Sequence, residues 1–191
     1  MRRVSLFWVV VFVLLSASGW FALGVRRQRQ QITQAGPALT NGAIVSLASV
    51  VDGDTVLVRL DSGDTVSVRL LGIKAFASGQ GKDPSDRFGR EAVTAIERKA
   101  SGKLLRVVLH STPKDKYGRA LATLYVDEED LGLELVRRGL ALVYTVYPFQ
   151  AMDLYLQEQQ SARGERRGLW SEPSVAGRAD LLVREWRAEA P

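Results

Sequence analysis

Alternating hydrophobic and polar positions dominate the chain from Ala43 onward, and they predict a small barrel. Alternation with a period of two is typical of half-buried β-strands. A polar turn signal, Asp61-Ser62-Gly63-Asp64, joins two of these runs as a hairpin. The five predicted strands cover residues 43–50, 55–60, 65–71, 104–110 and 120–126.

Helical periodicity appears between and after these strands. It predicts helices over residues 88–100, 131–138 and 152–167. Three strands, a helix, two strands and further helices is the element order of an OB-fold, a five-stranded Greek-key barrel, here with about three helices. Another helix around residues 179–186 falls in a C-terminal extension, 173–191, which we expect to lie outside the core.

An uncharged apolar run from Val4 to Val25 precedes the barrel. At about 1.5 Å per residue it is long enough to cross a hydrocarbon core of roughly 30 Å. We therefore predict a short tail (1–3), a transmembrane anchor (4–25), a polar linker (26–42) and a domain (43–172) outside the cytoplasm. A signal peptide cleaved near Ser16-Ala17-Ser18-Gly19, which would release a secreted domain, is the alternative.

Composition removes several kinds of chemistry. The chain has no cysteine and a single histidine, which excludes thiolate metal sites, disulfides and histidine-rich metal clusters. Of the 26 basic residues, five lie in residues 1–30, which contain no acid, so residues 31–191 carry 21 basic and 21 acidic residues. The net charge of +5 therefore gives no support for broad attraction to a polyanion. A phosphate site would have to be local.

Three short patterns carry candidate chemistry. Asp52-Gly53-Asp54-Thr55 places two carboxylates around a glycine at a strand start, which suits a hard cation such as calcium; a solvated turn is the ordinary alternative. Arg69 alternates with apolar residues on a strand, and Arg119 follows a Tyr-Gly turn. Guanidinium groups bind phosphate well, although an ion pair or a turn would also explain these arginines.

The order of the motifs is more specific than any one of them. The ordered segments are Val51-Asp52-Gly53-Asp54-Thr55-Val56, Val68-Arg69-Leu70-Leu71-Gly72-Ile73, Phe88-Gly89-Arg90-Glu91-Ala92, Asp115-Lys116-Tyr117-Gly118-Arg119, Leu135-Val136-Arg137-Arg138-Gly139-Leu140-Ala141 and Gly168-Leu169-Trp170-Ser171. In this order they resemble the staphylococcal nuclease, or thermonuclease, family over roughly residues 43–172.

The resemblance implies a calcium-dependent endonuclease. In that family two aspartates and a threonine carbonyl hold calcium, two arginines bind the phosphate, and a glutamate activates water. Asp54 matches the first aspartate, while Arg69 and Arg119 match the two arginines. Tyr117 and Tyr147 match positions near the nucleotide pocket, where they would stack on a base unless they serve only in packing.

The match fails directly after Ile73. The family has Asp-(Ala or Thr)-Pro-Glu, whereas this chain has Lys74-Ala75-Phe76-Ala77. Lys74 replaces the second metal carboxylate, Ala75 retains only a backbone carbonyl, and Ala77 replaces the glutamate. An ammonium group near a divalent ion is repulsive by several kcal/mol, and losing a general base typically costs about 10²–10⁴ in rate. We expect Lys74 to pair with Asp54 in place of the cation.

These observations leave three functional hypotheses. We predict a membrane-anchored module that lacks calcium-dependent cleavage, needs no cofactor, and binds nucleic-acid phosphate or a protein. The first alternative is an active nuclease for DNA or RNA with a rearranged site that uses calcium and Asp83 or Asp86. The second is a protein-interaction domain without a nucleic-acid role, which the zero net charge of residues 31–191 favours.

Overall fold

The computed structural model describes residues 39–79 and 81–189. Its centre is a five-stranded barrel. The barrel strands are β1 (Ile44–Asp52), β2 (Thr55–Arg59), β3 (Thr65–Leu70), β5 (Leu104–Lys114) and β6 (Ala120–Val126); the short strands are β4 (Ile73–Lys74), β7 (Glu129–Asp130) and β8 (Leu142–Val143). The five predicted strands are thus present, with ends that shift by a few residues.

The pairing of the strands closes the barrel. Strands β1, β2 and β3 form an antiparallel meander, β1 also pairs with β5, and β5 pairs with β6. A parallel contact between β3 and β6 completes the circle. This is the strand arrangement expected of an OB-fold, so the predicted five-stranded barrel is confirmed, while the described residues contain four α-helices rather than about three.

Helices cover the barrel and the chain that follows it. They are α1 (Asp86–Ala100), α2 (Leu131–Arg137), α3 (Met152–Gly164) and α4 (Pro173–Glu189), with a 3-10 turn at Gly168–Ser171. The third helix is three residues shorter than predicted, because Arg166 takes a positive φ of 53° that ends the helical path. Buried aliphatic side chains from the barrel strands and from α1 and α2 form one continuous core.

Helix α4 changes the prediction for the C-terminus. It spans residues 173–189 rather than 179–186, and its four buried residues belong to the same core as the barrel. These residues are Val175, Ala179, Val183 and Trp186. The expectation that this extension lies outside the core is therefore wrong, because the helix has an apolar stripe at helical spacing and buries it.

The predicted membrane localisation also needs correction. In residues 39–79 and 81–189 the longest apolar helical stretch falls short of what a bilayer crossing requires. This finding contradicts the single-pass membrane localisation. The segment predicted as an anchor, residues 4–25, lies outside the described residues.

The packing of α4 can be tested by truncating one buried and one exposed side chain of the same helix. Trp186 is 9% exposed, and its ring meets that of Tyr144 edge-on at a centroid distance of 5.0 Å. We expect Trp186→Ala to lower the free energy of unfolding by about 3–5 kcal/mol. Leu181→Ala should change it by less than about 0.5 kcal/mol, because Leu181 is 62% exposed. Urea titrations of both variants measure this, and equal effects would show that α4 is not packed as described.

Candidate active site

The barrel topology brings three predicted site residues to one rim. Thr55 at the start of β2 pairs with Arg69 near the end of β3, so Asp54, which precedes Thr55, lies beside Arg69. Arg119 directly precedes β6, which runs parallel to β3. Residues far apart in sequence therefore meet because of strand register alone.

The glycine between the two aspartates is required by packing. A Cβ atom added at Gly53 would lie 2.6 Å from the Ala75 Cβ and 2.7 Å from the Ala92 Cβ, both too close for carbon atoms. The absence of a side chain lets the β1–β2 turn approach both the segment after β4 and helix α1. The turn is thereby held against the segment that departs from the family pattern.

Asp54 is the centre of the site and is almost completely buried, with 1% of its surface exposed. Its Oδ1 forms an ion pair with the Arg69 guanidinium and accepts a hydrogen bond from the Thr55 hydroxyl at 3.1 Å. Its Oδ2 accepts from the Lys74 ammonium and from the Ala75 backbone N–H, each at 3.1 Å. A carboxylate has about four acceptor positions, so these donors account for its capacity.

The charged form of Asp54 is the favoured one. Burial by itself would raise the pKa of this carboxyl, but the Arg69 guanidinium, the Lys74 ammonium and the Ala75 N–H together hold the pKa below its ordinary value. Asp52 behaves in the opposite way, because burial and the neighbouring Asp54 carboxylate raise its pKa. The Asp52 Oδ1 accepts the Asp54 backbone N–H at 3.0 Å.

Arg69 is mostly engaged within the protein. Besides its ion pair with Asp54, its Nη1 donates to the Asp54 carbonyl at 3.2 Å and its Nη2 donates to the Ile73 carbonyl at 2.8 Å. Only 13% of its side chain is exposed. Arg69 therefore fixes the start of β2 and the end of the turn before Lys74.

Arg119 is held at two of its nitrogens and remains partly exposed. Its Nε donates to the Asp115 Oδ2 at 2.8 Å, and its Nη1 donates to the Thr55 hydroxyl at 3.1 Å. The side chain is 29% exposed, about twice the value for Arg69. Asp115 also accepts the backbone N–H of Arg119, and these bonds outweigh burial to lower the pKa of the Asp115 carboxyl.

The two candidate tyrosines are both exposed at the protein surface. Tyr117 is 72% exposed, and its ring lies 5.1 Å from the Lys116 Nζ and 5.5 Å from the Arg119 guanidinium. Tyr147 is 67% exposed, and its ring centroid lies 6.1 Å from that of Tyr144. Neither ring is a core residue, so their exposure agrees with a surface contact rather than with packing.

Two residues of the departed segment, Lys74 and Ala75, contact Asp54. Lys74 ends β4, which pairs with β8, and its ammonium forms the expected ion pair with Asp54. Ala75 contributes its N–H to the same carboxylate. The Ala77 side chain, an exposed methyl, has no group that could accept a proton.

These residues do not fit a calcium ion. The Oδ2 of Asp54 already contacts a full positive charge on Lys74, and a divalent cation would have to displace that ammonium. Within residues 39–79 and 81–189, no three His, Cys, Asp or Glu side chains gather in a way that would hold a metal. The donor set is that of an internal ion-pair cluster.

Asp83 and Asp86, considered above for a rearranged site, have structural partners. Asp83 accepts the backbone N–H of Ser85 at 2.9 Å and pairs with Arg178 at 2.6 Å. Asp86 accepts the Gly81 N–H at 3.0 Å. Both carboxylates therefore organise the loop before α1 and the contact of that loop with α4.

Sequence reasoning did not identify two residues that take part in this site. Thr55 links Arg119 to Asp54 through its hydroxyl, and Asp115 orients Arg119. The signal for Asp115 was its spacing of four residues from Arg119 across a tight turn. No local signal identifies Thr55, because its role depends on the β2–β3–β6 register.

Comparisons with known proteins agree with this geometry. A family model described as "Staphylococcal nuclease homologue" matches residues 67–172. The chain is 26% identical to a thermonuclease of Staphylococcus hyicus, over 74% of this chain and 88% of the relative. It is 33% identical to Protein ParB of Escherichia coli, over 74% of this chain and 77% of the relative. It is 29% identical to an uncharacterized endonuclease of Haemophilus influenzae, over 66% of this chain and 65% of the relative.

The dependence of the site on Asp54 predicts a stability change with a definite pH profile. Asp54→Asn leaves Arg69 without its buried counter-charge and should lower the free energy of unfolding by about 3–5 kcal/mol at pH 7. A carboxyl whose pKa is lower in the folded state stabilises above its unfolded pKa and loses that contribution as pH falls through the folded value. The difference in unfolding free energy between variant and wild type should therefore shrink only when the pH falls below 3.8, the ordinary pKa of an aspartate.

Urea titrations between pH 3 and pH 7 measure this profile. Asp61→Asn is the matched control, because Asp61 lies in the exposed β2–β3 turn, and it should change stability by less than about 0.5 kcal/mol. A small effect of Asp54→Asn at pH 7 would contradict the account of a charge-saturated carboxylate.

Proposed function

Since the chain belongs to the staphylococcal nuclease family, we propose that its domain binds single-stranded nucleic acid and does not cleave it by calcium-dependent chemistry. The binding half of the proposal rests on the family and on the exposed guanidinium and tyrosine groups at the barrel rim. The second half rests on one observation, the Lys74 ammonium that lies 3.1 Å from the Asp54 Oδ2.

The Lys74 contact argues against calcium on energetic grounds. Two like charges a few ångströms apart repel by about 4 kcal/mol even at an effective dielectric constant of 20, and a divalent ion doubles this cost. Displacing Lys74 instead would expose Asp54 to the metal but would remove one of its four donors. Either route makes calcium a poor ligand of this carboxylate.

The residue at position 77 removes a second catalytic element. A general base must accept a proton within hydrogen-bond distance of the attacking water, and an alanine methyl cannot do so. Asp83 and Asp86 do not replace it, because both are committed to the loop before α1. The missing base thus adds to the argument from Lys74 that this domain does not cleave.

The binding surface we propose centres on Arg119. A guanidinium donates in a fork that matches two phosphate oxygens, and Asp115 and Thr55 hold this one in a single orientation. Tyr117 lies against the same guanidinium and offers an exposed ring face to a base. Stacking of this kind tolerates any base sequence, so we expect general single-strand binding.

Some relatives are named as endonucleases, which supports the active nuclease as an alternative. The protein-interaction alternative also stays open to test, because residues 31–191 have no net positive charge. Both alternatives give outcomes that differ from those of a non-cleaving nucleic-acid binder.

Binding is tested with a fluorescent single-stranded oligonucleotide in chelator, by anisotropy at several salt concentrations. Arg119→Ala should weaken binding about 10- to 150-fold, because it removes hydrogen bonds to a charged group. The slope of log affinity against log salt should become shallower by about 0.7, the value for one lost phosphate contact on a single strand. Arg59→Ala removes the same charge from the exposed end of β2 and should change affinity far less.

The same samples incubated with calcium, magnesium or manganese and run on a gel test cleavage. Intact substrate is the expected result. Metal-dependent cleavage that Arg119→Ala abolishes would favour the rearranged nuclease, whereas no Arg119-dependent binding would favour the protein-interaction domain.

Restoring the two missing groups gives a sharper test. The double variant Lys74→Asp with Ala77→Glu frees Asp54 from its ammonium and supplies a second carboxylate beside it, so calcium affinity should appear where the wild type has none. Isothermal titration calorimetry with calcium measures this affinity. The melting temperature of the double variant should also rise when calcium is added. Lys82→Asp with Ala77→Glu carries the same charge change in the neighbouring loop and should gain nothing.

A wild-type protein that binds calcium as tightly as the double variant would overturn the argument from Lys74. Equal affinities in the double variant and the Lys82 control would do the same, because the gain would then come from net charge alone.

A further inference from the structure

A cavity of about 310 Å³ lies beside the site and is not used by the function proposed above. Three polar side chains reach it, namely those of Asp52, Lys74 and Arg178. Its apolar walls include two aromatic rings and an aliphatic side chain, those of Phe76, Trp186 and Leu182. A small-molecule pocket typically has at least about 300 Å³, so the cavity has room for one planar ring system.

The origin of the walls links this cavity to the divergence of the site. The segment Lys74-Ala75-Phe76-Ala77, in which Lys74, Phe76 and Ala77 depart from the family pattern, lines it. The opposite wall comes from α4, which begins at Pro173, just beyond the end of the family match at residue 172. Six of the nine lining residues therefore lie at departed positions or in α4.

The charges around the cavity indicate a polar but uncharged occupant. Lys74 is paired with Asp54, and Arg178 is paired with Asp83 at 2.6 Å, so neither cation has a full charge to spare for an anion. Each still carries further N–H donors, and both side chains are about half exposed. Asp52 accepts one bond from the Asp54 N–H, which leaves acceptor capacity on its carboxylate.

A ring that offers both acceptors and donors at its edge matches this arrangement. Nucleobases with a carbonyl oxygen and an amino group, guanine and cytosine, can accept from a lysine or arginine and donate to an aspartate. Their faces can stack on an aromatic ring or on a guanidinium plane, and Arg178 lies 5.4 Å from the Phe76 ring centroid. Thymine has carbonyl acceptors too, but its one donor is the N3–H between them, and adenine accepts only through ring nitrogens, so both match the edge less fully.

The cavity also lies close to the proposed phosphate site. Arg119 donates to Thr55, Thr55 donates to Asp54, and Asp54 accepts from Lys74, each at 3.1 Å. Lys74 then lines the cavity. Three successive hydrogen bonds therefore connect the guanidinium that would hold a phosphate to the rim of the cavity.

We infer that this cavity is a base-binding pocket, which takes one guanine or cytosine from a single strand whose backbone lies at Arg119. The inference rests on the proposed function, because the strand must first be held by its phosphates. It adds a preference among bases to a site that would otherwise bind any sequence. The preference comes from hydrogen bonds at the base edge, and part of the affinity comes from stacking.

The test compares short single strands on one otherwise abasic backbone, which carry no base, one guanine, one cytosine or one thymine. With the full-length protein, one guanine or cytosine should improve affinity about 5- to 150-fold over the abasic strand, the range expected for stacking of one base. Thymine should give a smaller gain. Anisotropy in chelator measures all four affinities.

Two neighbouring leucines of α4 provide matched variants. Leu182→Trp fills the cavity and should abolish the advantage of guanine and cytosine over thymine, leaving only the gain that Tyr117 gives to any base, whereas Leu181→Trp places the same bulk on an exposed position and should keep the advantage. An advantage of guanine and cytosine that persists in Leu182→Trp would overturn the inference. Equal gains from guanine, cytosine and thymine in the wild type would also overturn it, and would leave the proposed function standing.

If no strand binds, abasic or not, the proposed function itself fails. A second variant covers the case in which Leu182→Trp does not fold, as judged by thermal melting. Asp52→Asn keeps an oxygen to accept the Asp54 N–H but replaces the other carboxylate oxygen with an N–H donor. It should remove the preference for guanine and cytosine over thymine, and an unchanged preference would overturn the inference.

Discussion

The charge of the buried Asp54 carboxylate is the constraint on which the rest of the site depends. A carboxylate with 1% exposure must be paired and hydrogen-bonded, because the cost of leaving it unpaired in the interior exceeds the stability of most folds. The barrel supplies Arg69 and Thr55 through strand register. The remaining two positions on the carboxylate are filled by Lys74 and the Ala75 N–H, which come from the segment where the family pattern ends.

That pairing determines the path of the chain after β4. With Lys74 and the Ala75 N–H turned toward Asp54, the side chains of Ala75 and Phe76 enter the core rather than solvent. Gly53 permits this approach, since any side chain there would collide with Ala75. Phe76 then contacts Arg178 of α4. The packing of the C-terminal helix and the shape of the cavity therefore depend on the internal ion pair.

The barrel was predictable from the sequence because its signals are local. Alternation and turn residues gave all five strands, and the ends of β6 agree to the residue. Strand β5 runs beyond its predicted end at residue 110 through Pro113, in the stretch where its register with β6 shifts and a proline is tolerated. Helix α4 carried a readable stripe at positions 175, 179, 183 and 186, but the charged residues between them obscured it.

The site was only partly predictable, since its geometry combines contacts of very different range. The Asp54–Lys74 pair followed from charge alone once the two positions were expected to be neighbours. The different roles of the two arginines did not, because the resemblance to the family gives Arg69 and Arg119 the same role in binding phosphate. Their difference comes from the strands: the Arg69 guanidinium is closed in by the Ile73 and Asp54 carbonyls, while Arg119 is braced from behind by Asp115 and Thr55.

This difference decides which group can meet a ligand. The Arg69 guanidinium donates to the backbone carbonyls of Asp54 and Ile73, so it can bind a phosphate only by breaking hydrogen bonds that hold β2 and β4 in place. Arg119 requires no such exchange, because Asp115 and Thr55 engage only its Nε and Nη1 within the described residues, and the side chain is 29% exposed beside Tyr117. Retention of both arginines is thus compatible with two separate roles, one in keeping the Asp54 charge inside the barrel and one in contacting a strand outside it.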